Sequence, residues 1–311
     1  MNFDDKYKEL VQSLSDDFDR LDTDLDICFS KKQKQENQVL PILKEFFVQK
    51  GKRIRSSLIF LFAKSLNKPV DDFVYRIALA TELLHNATLI HDDIIDCAMF
   101  RRNEKTLNFN YDSKLAVLAG DYLLAEVLKI LGEVDLKQVR NCYSEAVSDL
   151  LRGEINQYFN RFKILPIDKY IEKSKNKTAK LFEAALMSIG YYYGLSQNEL
   201  AQVRKFAQNF GIGFQIHNDL KNFDNIDKVN EDIKNGDYSA PIIYYMYQTH
   251  SEKSLDINNV NIVLKQLKKT DAIEKAEHLK ERYFNLAIEN TSFLVDNQYK
   301  NSIVELCKLY L

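Results

Sequence analysis

Helix-breaking residues are scarce in this chain, which holds 9 glycines and 4 prolines among 311 residues. Strands joined by tight turns need more of both residue types, so the scarcity favours long helices. Apolar residues near the start recur at steps of three and four, as on one face of a helix. These residues are Leu10, Leu14, Phe18, Leu21 and Leu25. The spacing predicts an outer helix from Tyr7 to Cys28.

The rest of the chain continues in the same pattern. The segment SLIFLFAKSL after Arg55 is apolar on nearly all sides and predicts a buried helix. Asp71 and Asp72 suit a helix N-terminus, and a long apolar segment follows them. The sequence has neither a strong alternating strand pattern nor a break between two domains, and its most loop-like stretch covers residues 224–241. We therefore predict an all-α protein with one domain over residues 1–311.

Composition excludes several classes of partner. The net charge of −2 at pH 7 provides no general basic field for nucleic acid or anionic membrane, so an anionic ligand needs a local cluster of cations. The 4 cysteines are far apart in sequence, which argues against a disulfide framework or a zinc site. No apolar run approaches the roughly 18 residues of a membrane span, and the first residues lack a signal-peptide core. These features predict a cytoplasmic protein without an integral membrane segment.

The stretch HNATLIHDDIIDCAMFRRN, which begins at His85, gathers acids and arginines after an apolar segment. Asp92 and Asp96 are four residues apart, so on a helix they share one face and repel unless a cation lies between them. Carboxylates suit Mg²⁺, which completes its coordination shell with water and substrate phosphate. The guanidinium groups of Arg101 and Arg102 suit phosphate oxygens. The alternative is a solvated charged surface. The preceding LATELLHNATLI is too apolar for a solvated helix, which favours a metal and phosphate site.

Five blocks in this order resemble the trans-polyprenyl diphosphate synthases: GKRIRSSL, HNATLIHDDIIDCAMFRR, GEINQ, NKTAKLFEAA and GIGFQIHNDL. The resemblance extends from Lys52 to Pro241. It implies a single large all-α bundle of the isoprenoid synthase type with a central substrate cavity, usually homodimeric. It also implies a Mg²⁺-dependent prenyl transfer, in which isopentenyl diphosphate attacks the carbocation left by an allylic diphosphate such as farnesyl or geranyl diphosphate.

The resemblance assigns roles to individual residues. It implies that Asp92 and Asp96 bind the metal with support from Asp93, and that Arg101 holds the allylic diphosphate. The residues matched to isopentenyl diphosphate are Lys52, Arg55, His85 and Arg102, and those matched to the allylic substrate and its cation are Lys177, Thr178 and Gln215. Each taken alone has a structural alternative: Lys52 and Arg55 as surface charges, His85 as a core histidine, and Lys177 with Thr178 as a helix kink.

The second acidic motif of the family is altered in this chain. It reads HNDLKNFD, so Asn218 and Asn222 replace two aspartates while Asp219 remains. An amide oxygen can coordinate Mg²⁺ but brings no charge, so we expect Asn218 and Asp219 to form a weaker metal site. The start NDL also occurs in class I terpene cyclases, although the rest of their motif is missing. After Gly236, Asp237 stands where many family members have lysine.

The resemblance also relates product length to the residues one turn before the acidic motif. Short-chain members have an aromatic residue there that blocks the growing tail, whereas this chain has Ala87 and Thr88. We therefore predict a product of about C30 to C45, used for a quinone side chain or a lipid carrier. Alternatives are a farnesyl or geranylgeranyl diphosphate synthase, and a weakly active or regulatory subunit of a heteromeric synthase. A terpene cyclase is disfavoured because it has no use for Lys52, Arg55 and His85.

Overall fold

The computed structural model of the chain describes residues 3–30, 38–48, 51–101, 104–223, 226–249 and 260–311. The helices up to residue 132 are α1 (Phe3–Val11), α2 (Ser15–Ser30), α3 (Val39–Val48), α4 (Ile54–Ser65), α5 (Asp72–Ile95), α6 (Leu107–Asn110) and α7 (Ser113–Gly132). The later helices are α8 (Lys137–Phe159), α9 (Ile167–Ser174), α10 (Lys180–Tyr192), α11 (Gln197–Asn222), α12 (Ile226–Asn235), α13 (Ala240–Gln248), α14 (Val260–Leu267), α15 (Ala272–Glu289) and α16 (Gln298–Lys308). The short strands β1 (Phe100–Arg101) and β2 (Glu104–Lys105) pair antiparallel. The predicted all-α fold is confirmed.

Side-chain caps mark the start of the long helices α5 and α11. Asp71 precedes α5 with an extended backbone, and its Oδ1 accepts hydrogen bonds from the amides of Phe73 and Val74 at 3.1 and 3.2 Å. Ser196 and Glu199 form a reciprocal capping box at the start of α11. Such caps satisfy amides that the first helical turn leaves without a partner.

Two sequence predictions differ from the structure. The helix predicted over Tyr7 to Cys28 is divided, because a 3₁₀ turn covers Gln12–Leu14 between α1 and α2. The long loop predicted over residues 224–241 is wrong for Ile226–Asn235, which form α12. Val229 and Ile233 of this helix are buried at a spacing of four, so a short apolar stripe was hidden among polar residues.

The chain divides into two compact units. Unit 1 comprises Met1–Asn141, Ser188–Gly194 and Leu294–Ile303, and unit 2 comprises Cys142–Met187, Leu195–Phe293 and Val304–Leu311. The single domain predicted over residues 1–311 stays a prediction. The described helices include none that is both long enough and apolar enough to cross a membrane.

In unit 1, α5 packs against α4 and α7. Helix α4 is buried on nearly every side, as its apolar sequence predicts, with Leu58, Ile59, Phe60 and Leu61 all at 0% exposure. Ser56 of α4 donates to Oε1 of Glu82 in α5 at 2.5 Å, so the middle of α5 is fixed against this buried helix.

In unit 2, α11 packs along α15 and against the π-helix Lys175–Ala179. Aromatic rings fill the space around Phe210, whose centroid lies 5.3 Å from that of Phe182 and 5.6 Å from that of Phe284. Tyr310 stacks on Phe284 at 5.1 Å. This aromatic cluster anchors α11, which carries Gln215, Asn218 and Asp219.

Candidate active site

The C-terminal end of α5 carries the acidic motif of unit 1. Asp92 lies in the last turn and Asp96 is the C-cap, whose amide donates to the Asp92 carbonyl at 2.8 Å. Both side chains are partly buried. Negative charge at the C-terminal end of a helix opposes the helix dipole, at a cost of about 0.3–1 kcal/mol per carboxylate. The described last turn of α5 contains no Lys or Arg. Two carboxylates at the negative end of a helix suit a bound cation.

Asp93 has a different environment from its neighbours. The residue is 2% exposed. Its carboxylate accepts hydrogen bonds from Nε of Arg101 at 2.8 Å on Oδ1 and 3.0 Å on Oδ2, and Nη2 of Arg101 lies 2.7 Å from Oδ1. Burial raises the pKa of Asp93 and the Arg101 guanidinium opposes that rise. This two-pronged pair fixes the direction of Arg101, which comes from β1 and is one-third exposed. The contact supports a role for Asp93 in positioning Arg101. Its predicted catalytic part, which is to support the metal ligands Asp92 and Asp96, stays a prediction.

Three of the four residues predicted to bind isopentenyl diphosphate lie in the described part of unit 1. Nη1 of Arg55, in the first turn of α4, lies 3.2 Å from Nε2 of His85 in the middle of α5. Lys52 belongs to the loop just before α4 and has an exposed side chain. Arg102 lies outside the described residues. The structure thus brings the side chains of Arg55 and His85 together. Their predicted role in binding isopentenyl diphosphate stays a prediction.

The two small residues before the acidic motif are also in α5. Ala87 is fully buried, and Thr88 is partly buried with its hydroxyl donating to the carbonyl of His85 at 2.7 Å. This bond pairs the Thr88 hydroxyl with the backbone of its own helix.

In unit 2, Lys177 and Thr178 lie in a π-helix between α9 and α10. The Thr178 hydroxyl donates to Oε1 of Gln215 at 2.6 Å, and Nζ of Lys177 lies 2.7 Å from Oε1 of Glu154. The structure thus brings together Thr178 and Gln215, two residues that the resemblance groups. Single-turn π-helices are rare and often occur at functional sites. Lys177 and Thr178 can therefore lie in an irregular part of the helix and still have a functional role.

Glycine allows this contact between helices. A Cβ on Gly211 of α11 would lie 2.4 Å from the Cα and 2.5 Å from the Cβ of Ala179, the last residue of the π-helix. A side chain at residue 211 would therefore force the two elements apart. The sequence shows a glycine within a helical segment. Only the tertiary structure identifies Ala179 as the residue that it contacts.

The altered acidic motif in α11 contacts Gln215, which the sequence analysis named, and Tyr170, which it missed. Oδ2 of Asp219 accepts from the Tyr170 hydroxyl at 2.6 Å, and Oδ1 accepts from Nε2 of Gln215 at 2.8 Å. Burial raises the pKa of Asp219, while the charge of Lys173 opposes the rise. Tyr170, Lys173 and Lys177 are spaced by three and four residues, a helical pattern that could have indicated a shared face.

Asp237 extends this polar group. Its Oδ1 lies 2.8 Å from Nζ of Lys173, and its Oδ2 accepts from Nε2 of Gln157 at 2.6 Å. Burial alone would raise the pKa of Asp237, but the charge and hydrogen bond of Lys173 hold it below its usual value. The chain thus has a Lys173–Asp237 ion pair beside the altered motif. Asp224 lies outside the described residues, as does the side chain of Asp227.

The two candidate metal sites differ in how well their oxygen donors suit Mg²⁺. No group of three or more His, Cys, Asp or Glu side chains suited to a metal occurs in the described ranges. The pair Asp92 and Asp96 still fits, because Mg²⁺ needs one or two protein carboxylates when substrate phosphate and water supply the other oxygens. In unit 2, Asn218 is partly buried and uncharged, and each Asp219 oxygen already accepts one hydrogen bond. That second donor set fits Mg²⁺ less well.

Known proteins resemble this chain over most of its length. Residues 36–279 match the model of the polyprenyl synthetase family. A prenyl transferase from Porphyra purpurea is 31% identical over 277 residues, which cover 85% of this chain and 86% of that protein. Heptaprenyl diphosphate synthase component 2 from Geobacillus stearothermophilus is 25% identical over 319 residues, 98% of each chain. The crystal structure of a polyprenyl synthase from Caulobacter crescentus, complexed with calcium and isoprenyl diphosphate, has a TM-score of 0.87 at 20% identity, covering 98% of this chain and 97% of that one.

Proposed function

Because this chain belongs to the polyprenyl synthetase family, we propose that it condenses isopentenyl diphosphate with an allylic diphosphate, farnesyl or geranyl diphosphate. The product is an all-trans polyprenyl diphosphate of about C30 to C45. The observation that carries this proposal is the pair Asp92 and Asp96 at the negative end of α5, followed by Arg101 in a fixed direction. This arrangement suits a metal-bound diphosphate better than any other common ligand.

Magnesium is the proposed cofactor. Asp92 and Asp96 would hold it in unit 1, and Asn218 and Asp219 are the proposed oxygen donors in unit 2. When bound, Mg²⁺ neutralises the charge that develops on the departing diphosphate. A divalent cation is supported by the Caulobacter crescentus polyprenyl synthase, whose crystal structure contains calcium and isoprenyl diphosphate.

The side chains of this chain bind and orient both substrates in this proposal. Arg101, whose Nε and Nη2 contact Asp93, would bind the allylic diphosphate. Arg55 with His85, together with Lys52 and Arg102, would bind the second diphosphate. In unit 2, Lys177 binds the allylic diphosphate. The Thr178 hydroxyl and the Gln215 carbonyl present oxygens that stabilise the allylic cation.

Product length is proposed to depend on Ala87 and Thr88. In this proposal their small side chains, about one turn before Asp92, would not block a growing tail as an aromatic side chain would. Each added isoprene unit needs roughly one more helical turn, about 5.4 Å. The heptaprenyl synthase component from Geobacillus stearothermophilus is a relative whose name fits this range.

The test is an assay of the purified protein with Mg²⁺, farnesyl diphosphate and labelled isopentenyl diphosphate. We expect label in a prenyl diphosphate of about C30 to C45, identified by mass spectrometry, and loss of at least 100-fold in rate for Asp92→Asn and Asp96→Asn. The matched control is Asp16→Asn, which removes an exposed carboxylate of α2. Release of unlabelled hydrocarbon from farnesyl diphosphate alone would contradict the proposal and favour a cyclase.

A second candidate is a subunit of a heteromeric synthase. It is supported by the loss of two carboxylates at Asn218 and Asn222, and by a relative that is named as component 2 of its enzyme. Activity that appears after addition of a second, different polypeptide would favour this candidate. A C15 or C20 product would favour a short-chain synthase.

A homodimer is proposed from the surface of unit 1. Val117, Leu118 and Leu128 of α7 are 42%, 62% and 71% exposed, and they lie along one side of the helix. An exposed apolar stripe of this kind is unusual on a monomer, and a second copy of the same stripe would cover it. Leu128→Glu should convert the dimer to a monomer in analytical ultracentrifugation; a wild-type monomer would contradict the proposal.

A further inference from the structure

The N-terminal helix α1 contacts the loop that carries Lys52. Tyr7 is 6% exposed, and its hydroxyl donates to the Lys52 carbonyl at 2.7 Å and lies 2.5 Å from Oγ of Ser57. The Ser57 hydroxyl lies 2.9 Å from the carbonyl of Arg53. Burial raises the pKa of Tyr7 above its usual value, so the hydroxyl stays protonated. Two hydroxyls thus tie two successive carbonyls of the loop to α1 and α4.

The loop needs such support because its backbone is strained. Arg53 has a φ of 53°, in the left-handed region that favours glycine. Its side chain reaches Asp22 of α2, with Nη2 2.5 Å from Oδ1. Strained backbone persists where surrounding contacts hold it, and such sites often serve function. Here the supporting contacts of Tyr7 and Asp22 come from the N-terminal helices.

The end of the Lys52 side chain also meets α1. Its Nζ lies 2.6 Å from Oδ1 of Asp4 and 4.1 Å from the centroid of the Phe3 ring. The Phe3 ring in turn stacks on Tyr7 at 6.3 Å. A carboxylate and an aromatic face thus surround the ammonium that the proposed function assigns to a diphosphate.

We propose that α1 is part of the isopentenyl diphosphate site, acting through Lys52. Tyr7 is a positioning residue that sets the backbone of the Lys52 loop, and Asp4 is an anion that the diphosphate displaces from Nζ of Lys52. The inference rests on the proposed function, because that function names the diphosphate. Tyr7 thus favours binding of isopentenyl diphosphate, whereas Asp4 of the same helix opposes it.

The test measures KM for isopentenyl diphosphate and for farnesyl diphosphate separately. Tyr7→Phe should raise KM for isopentenyl diphosphate about five- to tenfold, the effect of one lost hydrogen bond. Asp4→Asn should lower the same KM about two- to fivefold, since an exposed ion pair that competes with substrate is removed. KM for farnesyl diphosphate should stay within twofold of wild type for both variants.

Two control variants separate this role from a structural one. Glu9→Gln removes an exposed charge from α1, and Tyr75→Phe removes a hydroxyl that donates to Asp17 at 3.0 Å in the same unit. Both should leave both KM values unchanged. A wild-type KM for isopentenyl diphosphate in Asp4→Asn, or an equal rise of both KM values in Tyr7→Phe, would overturn the inference. Absence of elongated product from the wild type would instead overturn the proposed function, and with it the substrate named here.

Discussion

Replacement of Gly211 by alanine tests whether the close contact between α11 and the π-helix supports both stability and activity. At an unhindered helical position this change stabilises a helix by about 1 kcal/mol. At Gly211 the new Cβ would lie 2.4 Å from the Cα of Ala179. To reach an ordinary contact of 3.4 Å, the two elements must separate by about 1 Å. The nearest atom is backbone, so no flexible side chain can move aside.

The magnitude follows from these two opposing effects. Overpacking of a filled core costs about 1–3 kcal/mol, and a backbone neighbour places this case at the upper end. After the helix gain of about 1 kcal/mol, we expect Gly211→Ala to lower the free energy of unfolding by about 2 kcal/mol. A shift of about 1 Å also displaces Lys177 and Thr178, and such a displacement can reduce turnover about 100-fold.

The assay combines urea denaturation followed by circular dichroism with steady-state kinetics at a temperature where both proteins are folded. Gly132→Ala is the matched control, because a Cβ there would meet no described atom within 4 Å. That variant should be as stable as wild type or slightly more, with unchanged kcat. If Gly211→Ala behaved like Gly132→Ala in both measurements, the inferred contact between Gly211 and Ala179 would be refuted.

Three further substitutions test the site. Asp93→Asn should raise KM for the allylic diphosphate about tenfold, because it weakens the charge-assisted contact that positions Arg101. The Mg²⁺ concentration for half-maximal rate should stay unchanged. A shifted metal dependence would instead show that Asp93 is a metal ligand. Asn218→Ala should raise the Mg²⁺ concentration needed for half-maximal rate, and wild-type turnover with wild-type metal dependence would show that the amide is not a ligand. Ala87→Tyr should shorten the product, read by thin-layer chromatography or mass spectrometry, and an unchanged chain length would refute the role given to Ala87.

Local sequence patterns predicted the helices well where one face is apolar over several turns. The buried α4 and the cap of α5 at Asp71 follow from apolar residues and capping groups that are visible in the sequence. The prediction was wrong for α12, because ten residues with a short apolar stripe inside a polar segment resemble a loop. The division of the first predicted helix at Gln12–Leu14 likewise left no clear local signal.

Residue spacing alone determined that Asp92 and Asp96 share a helix face, and ordered motifs indicated the family. Tertiary structure decided which groups those residues meet: Asp93 pairs with Arg101 because β1 follows the end of α5, and Asp219 meets Tyr170 because α9 packs on α11. The same holds for Tyr7 and Lys52, which are 45 residues apart in the chain. Periodicity is a property of neighbours along the chain, whereas a hydrogen bond between distant residues depends on how whole helices pack.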